Sequence, residues 1–225
     1  MTATVEEPNE LGRTSETLHP SLGQAFSLVA MGLAIILVLA ALGGPWFAVV
    51  TRTTSTNSTA VDDRGYGITG FSGTDTVPGL RAGVSGNYLP WPGVRSALVW
   101  TQILIASVLI LGFPVLVLTL IGAARSRPVR LAPILGFAAG TLTLITPIVY
   151  ALTFPVAAQV DGLFDFGASF VGSVSMQNPD ATVVRTWGPG WAWIGLLIAG
   201  VLLLTSSGMG IYVSRRRSRT PGSSG

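Results

Sequence analysis

Four long apolar stretches, about 26–50, 97–124, 131–158 and 190–213, contain no charged residue. All ten acids, all thirteen arginines and the single histidine lie outside them. A hydrocarbon core about 30 Å thick takes about 20 residues of helix. Each stretch exceeds that, so each is expected to span a bilayer with some tilt. Charged residues are only 10% of the 225, and the mean hydropathy is +0.61. That is a membrane composition. The expected fold class is all-α membrane: a four-helix transmembrane bundle with a small extracytoplasmic β-containing cap.

The organisation follows from the gaps between spans. Residues 1–24 are polar, acidic and without apolar periodicity, and read as a disordered cytoplasmic arm. Residues 25–213 form the bundle, with outer loops 51–96 and 159–189. Residues 214–225 read as a basic disordered cytoplasmic tail. The first span reads as an anchor rather than a cleaved leader. Four glutamates precede it against Arg13 alone, and its apolar run is longer than that of a signal peptide.

Charge sets the orientation. The short connection 125–130 carries Arg125, Arg127 and Arg130, and the tail carries Arg215, Arg216, Arg217 and Arg219. The positive-inside rule makes these the topology anchors and places both termini in the cytoplasm. Loop 51–96 has four arginines, but thinly spread, and loop 159–189 has only Arg185. The net charge of +3 therefore reports membrane orientation and not nucleic-acid binding. The Arg215–Arg219 cluster also attracts anionic lipid at about 1 kcal/mol per arginine. The all-arginine, Ala/Gly/Val/Leu-rich composition suggests a GC-rich prokaryotic genome, and so a plasma membrane.

The loops carry β signals. Gly43-Gly44-Pro45 ends the first span or kinks it. Residues 49–56 are β-prone, 65–71 are a second strand candidate, and 76–80 are a turn. In the second loop, 168–176 alternates like a strand, Asn178-Pro179-Asp180 is a turn, and 182–187 is another extended piece. Span two is expected to be kinked or weakened near Pro114. Aromatic residues gather in and beside these loops. Trp46, Tyr66, Phe71, Trp91, Phe164, Phe166, Phe170 and Trp187 are the candidate contact residues of the cap.

Little else carries chemistry. Cysteine is absent, so no disulfide or thiolate site forms within the chain. His19 is the only histidine and lies in the arm, which leaves no intrachain histidine metal cluster and no bis-histidine haem site. Asp161 and Asp165 are spaced i,i+4 beyond span three and are weak candidates for a cation or an acid–base pair. Asp62, Asp63 and Asp75 could join them. Membrane pumps and enzymes usually place ionisable groups inside the bilayer, and these spans have none. Their hydroxyl and amide side chains, including Thr101, Thr143, Ser206 and Ser207, read as structural at about 0.6 kcal/mol each. Gln102, Thr146 and Tyr150 are the ones to test for a polar path. Asn57-Ser58-Thr59 fits an N-glycosylation acceptor. Gly136 and Gly140 form a small-xxx-small pair, expected to pack within the bundle.

The layout resembles the claudin-like four-span superfamily. The points of likeness are cytoplasmic termini, a first outer loop of nearly fifty residues, a tight cytoplasmic turn, a shorter second loop and Trp46 near the outer end of span one. The resemblance implies a small outer β-sheet above a four-helix bundle, with Gly67–Phe71 where that family places loop-one strands. It is a likeness of topology. The two cysteines of the claudin loop signature have no counterpart here, and no functional residue carries over.

The function expected from these features is non-catalytic, with no cofactor. The chain reads as a structural or accessory subunit that presents its cap to other membrane protein subunits or to itself. A small oligomeric transporter or channel with a Thr/Ser/Gln-lined path is the alternative. An outer-surface enzyme using Asp161 and Asp165 is a third reading.

Overall fold

The computed structural model describes residues 22–124, 129, 131–165 and 167–218, the side chains of 213–218 excepted. The arm 1–21 with His19, the anchors Arg125, Arg127, Arg130 and Arg219, and Phe166 lie outside the described residues. So do the side chains of Arg215, Arg216 and Arg217.

The described residues form four helices, α1 (Leu22–Gly43), α2 (Pro92–Ala124), α3 (Leu131–Val160) and α4 (Trp191–Ser218), and six strands. The strands are β1 (Phe47–Ser55), β2 (Thr59–Tyr66), β3 (Phe71–Val77), β4 (Leu80–Gly86), β5 (Gly172–Asn178) and β6 (Ala181–Pro189). All four helices are long and apolar enough to cross a membrane, and the chain is a multi-pass membrane protein. The six strands form one antiparallel sheet in the order β4-β3-β2-β1-β6-β5. That sheet overturns the expected all-α class: the fold is mixed α/β. Both loops are consumed almost wholly by hairpins, because tight turns separate short runs rich in β-branched and small residues.

Element boundaries shift accordingly. The apolar run 26–50 is not one helix. α1 stops at Gly43, and residues 47–50 open β1. Pro45 disfavours helix at Gly44, and the Val-Val-Thr run that follows suits a strand. The strand candidate 65–71 is split between β2 and β3 by a turn, where the Gly67 N–H donates to the Gly70 carbonyl at 2.8 Å. Pro78-Gly79 makes the β3–β4 turn, with Gly79 at φ +80° as a type II turn requires. α2 runs unbroken through Pro114, and α3 through Pro147 and Pro155. α4 runs through Ser218, so residues 214–218 are helical and not the disordered tail expected of them. Arginine is a good helix former, and the next breaker is Pro221.

The helices form a ring in which α2 packs on α3, α3 on α4 and α4 on α1, with a lighter α1–α2 seam closing it. Small residues set the α3–α4 contact. A Cβ on Gly136 would meet Ser207, one on Gly140 would meet Leu204, and one on Gly200 would meet Leu144. The Gly136/Gly140 pair thus packs within the chain. Large apolar side chains such as Val29, Ile36, Trp100, Ile110, Leu152 and Val201 point away from the bundle. In a bilayer these meet lipid.

Strand directions follow from connectivity. β1 leaves α1 and climbs away from the bundle, β4 descends into α2, and β6 descends into α4. The centre of the sheet is therefore continuous with the α1–α4 pair. Phe47 and Pro189 are opposed where β1 and β6 meet the helices, and Ala192 N–H donates to the Pro45 carbonyl at 3.0 Å.

Candidate functional site

The sheet sits on the bundle through an aromatic layer. Successive residues of a strand face opposite sides. Phe47, Tyr66 and Phe71 are in register on β1, β2 and β3 and share the face turned toward the helices. Phe47 stacks on Phe164 at 5.3 Å and meets Phe154 edge-on at 5.7 Å. Tyr66 meets Phe164 edge-on at 5.2 Å, and Tyr150 stacks on Phe154 at 4.8 Å. Trp46 contacts Tyr150, Phe71 contacts Trp91, and Phe170 contacts Trp193. Each such pair is worth roughly 0.5–1.5 kcal/mol beyond its buried area.

This layer holds most of the aromatic residues expected to meet partners. Trp46, Tyr66, Phe164 and Trp187 are buried, and Phe71, Trp91 and Phe170 are partly buried against the same core. They are not an outer contact surface. The indoles of Trp46 and Trp187 are satisfied internally. Trp46 Nε1 donates to the Ala41 carbonyl at 2.7 Å and Trp187 Nε1 to the Ser169 carbonyl at 3.0 Å. Tyr88 donates to the Gly67 carbonyl at 2.9 Å, and burial pushes its phenol well above the usual range. Aromaticity near a membrane boundary is shared by lipid belts, interfaces and cores, so sequence alone does not separate them.

The two weak acidic candidates are separated in the structure. Asp161, just past α3, accepts the Val94 N–H at 2.8 Å and so caps the start of α2. Asp165 pairs with Arg185 of β6. Neither points at the other. No group of three or more potential metal-ligating residues occurs among the described residues.

Farther from the membrane the same sheet face becomes polar. Arg185, Thr51, Asp62 and Asp75 are mutually in register across β6, β1, β2 and β3. Arg185 Nε donates to Thr51 Oγ1 at 3.2 Å. Arg64, one pleat nearer the membrane, donates from Nε to Asp62 Oδ1 at 2.9 Å. Its Nη2 lies 3.9 Å from Asp75 Oδ1, which is buried without a hydrogen-bond partner. Asp62 and Asp75 face each other across the ladder. Burial raises the Asp62 carboxyl above its usual range, Arg64 pulls it back, and Asp75 raises it further. Burial likewise raises Tyr66. The row is nearly neutral in charge, and Arg64 occupies the place a cation would take. The one signal for this row in the sequence is the i,i+2 spacing of Asp62 and Arg64.

The polar residues of the spans are committed to local bonds. Thr101, Thr143, Thr146 and Ser207 each donate to the carbonyl four residues earlier. Ser27 and Ser206 bond each other across α1 and α4 at 2.8 Å. Gln102 Nε2 donates to the Ile68 carbonyl at 2.8 Å and ties α2 to the sheet. A cavity of about 600 Å³, counting its mouth, opens at the end of the bundle away from the sheet. Its lining reaches no deeper than Met31 on α1 and Leu118 on α2. Between it and the sheet, Val38, Ile105, Val108, Leu196 and Ala199 fill the core.

The remaining surface of the cap is small and polar. The β1–β2 tip carries exposed Asn57 of the Asn-Ser-Thr triplet, and Ser55 N–H donates to the Ser58 carbonyl at 2.8 Å there. The outermost strands, β4 and β5, are mostly exposed along their length. No protein-family model matches the sequence, and no curated protein is significantly similar to it.

Proposed function

We propose that this is a non-catalytic integral membrane protein, a structural or accessory subunit that holds a rigid β-sheet above the bilayer for protein partners. The observation that carries this reading is the aromatic layer. It welds the sheet to the helices, and among the described residues both edge strands stay mostly exposed. A platform that is fixed beneath and open at its edges suits docking better than turnover. The resemblance to claudin-like four-span proteins, in which both loops build a sheet above a four-helix bundle, points the same way. With the positive-inside rule, the proposed setting is a prokaryotic plasma membrane with both termini cytoplasmic and the sheet outside.

The committed hydroxyls and the filled core between cavity and sheet support this reading over a transporter with a Thr/Ser/Gln-lined path. The test is purification in mild detergent from native membranes, with identification of what co-purifies and flux assays on the reconstituted protein. Stoichiometric co-purification with no flux is the expected result. Robust solute flux or turnover by the isolated chain would overturn it.

A further inference from the structure

Both ends of the sheet are open edges. β4 and β5 are seven residues each, have neighbours on one side only, and contain no proline and a single charge, Arg81. Natural edge strands are usually blunted by charge, proline, bulges or a covering element, because unpaired N–H and C=O groups recruit further strands. Among the described residues no proline or further strand blunts either edge, and Arg81 is the one charge on them. The two edges cannot meet within one chain, since five strand spacings of ~4.8 Å put them about 24 Å apart.

We infer that β4 of one copy pairs with β5 of a neighbouring copy, extending one antiparallel sheet from protomer to protomer in the plane of the membrane. The inference rests on the reading that the cap is a docking platform and names the partner as a second copy. Strand polarity selects this pairing. Copies in one membrane share a single up direction. β4 descends toward α2 and β5 ascends, so β4 against β5 is antiparallel, like every other pair in the sheet. Two β4 edges related by an axis along the membrane normal would run parallel.

Register and charge agree with it. Full-length pairing sets Leu80 against Asn178 and Gly86 against Gly172. It keeps Ala82 and Val84 on the same face as Met176 and Val174, which are the faces these residues hold in their own protomers. At the outer end it brings exposed Arg81 beside exposed Asp180 of the β5–β6 turn, and neither has an ion-pair partner among the described residues. Width also fits. Two helices of ~10–12 Å side by side span about as much as the sheet, so bundles do not hold the edges apart. Because the contact is heterologous, it generates a row or a ring rather than a closed dimer.

The natural chain has no cysteine, which makes cross-linking clean. The test uses Ser85→Cys with Ser173→Cys, and Gly83→Cys with Ser173→Cys for a slip of one pleat. A Cβ on Gly83 meets nothing. Each single variant, labelled with a benzophenone maleimide and irradiated in native membranes, reports whatever neighbour is present. Oxidised double variants are expected to give a ladder of dimer, trimer and higher forms. Arg81→Glu should weaken the ladder severalfold, and adding Asp180→Arg should restore it. Disulfide dimers from Ser85→Cys alone would show two-fold edge pairing and overturn the inference. Photo-adducts only with a different protein would overturn it while leaving the docking reading standing. No adduct at either edge would overturn both.

Discussion

The Asp161 carboxylate, one residue past α3, accepts the backbone N–H of Val94 in the first turn of α2 at 2.8 Å. The end of α3 thus caps the start of α2, the helix before it, and the contact ties the α2–α3 pair together beneath the sheet. Glycine at 93 leaves the carboxylate the room it occupies. A Cβ there would stand 2.9 Å from Asp161 Oδ1 and 3.0 Å from Oδ2. Asp161→Ala should lower stability by ~1–2 kcal/mol, the scale of a lost cap accepting a charge-assisted bond. Gly93→Ala should cost a similar amount by displacing the carboxylate. The double variant should cost little more than either single one, because both remove the same contact. Denaturant titration in detergent, followed by near-ultraviolet circular dichroism, measures all three. Full additivity would mean that the two residues do not act through this bond.

Trp46 is completely buried, and its indole N–H satisfies the Ala41 carbonyl near the end of α1. The last carbonyls of a helix have no partner within it, so this bond closes α1 where the chain turns into β1. Trp46→Phe keeps most of the apolar bulk but leaves that carbonyl unpaired, at an expected cost of about 1–3 kcal/mol. Trp46→Ala adds a cavity and should cost ~3–5 kcal/mol. Thermal unfolding midpoints of the two variants in one detergent should fall in that order. Equal midpoints would remove the role assigned to the indole N–H.

Asp62 makes the sheet sensitive to pH. The Asp62 carboxyl is raised in the fold, chiefly by burial, so the fold favours its protonated form. The sign is opposite to that of an ordinary salt-bridged aspartate. The stability contributed by this group is fully present below its unfolded value of 3.8 and is lost as pH rises through the raised folded value. Asp62→Asn should therefore stabilise the sheet at neutral pH by ~0.5 kcal/mol, the scale of a like-charged cross-strand pair. The gain should shrink as pH falls through the raised folded value and be lost below 3.8. Arg64→Leu should destabilise at neutral pH, because it leaves two facing carboxylates without their cation. Melting curves of the three proteins between about pH 3.5 and 8 check the crossover.

How far the sequence reaches is visible in particular residues. The four spans are legible because each charge-free run exceeds the ~20 residues that a bilayer crossing takes. A soluble helix of that length would need a polar face. Strands β1 and β6 are legible from the β-branched residues of 49–56 and 182–187, and β5 from the alternation over 168–176, with Pro45 and Asn178-Pro179-Asp180 as the breaks. The extent of the sheet is not, because β2, β3 and β4 are rich in Gly, Ser, Thr and Asp and have weak intrinsic preference. Pairing in register, rather than propensity, makes them strands. The aromatic residues stand out in the sequence, but their side of the cap does not. Phe47 reads as part of a membrane belt, and Phe154 is one apolar residue among many in span three. Only the fold shows that both meet Phe164. The Asp161 cap joins residues 67 positions apart, which no local pattern announces.

Gln102 separates the two functional readings. In a transporter its amide would line a path, and Gln102→Leu would abolish flux while leaving the fold intact. In the structure its Nε2 instead donates to the carbonyl of Ile68, a residue only 2% exposed at the turn between β2 and β3. That turn also holds the Tyr88 hydroxyl, whose single proton is shared between the Gly67 and Gly70 carbonyls. Removing the amide should leave a buried carbonyl unpaired and loosen the turn, at about 1–2 kcal/mol. Faster proteolysis within 67–70 is the expected signature. Tyr150→Phe should be nearly neutral, because its hydroxyl reaches the Tyr66 carbonyl only at 3.5 Å, the outer limit of a hydrogen bond. Liposomes carrying the native chain or either variant should match empty liposomes in flux. A native flux lost in Gln102→Leu at unchanged proteolytic stability would instead place the amide on a conduction path.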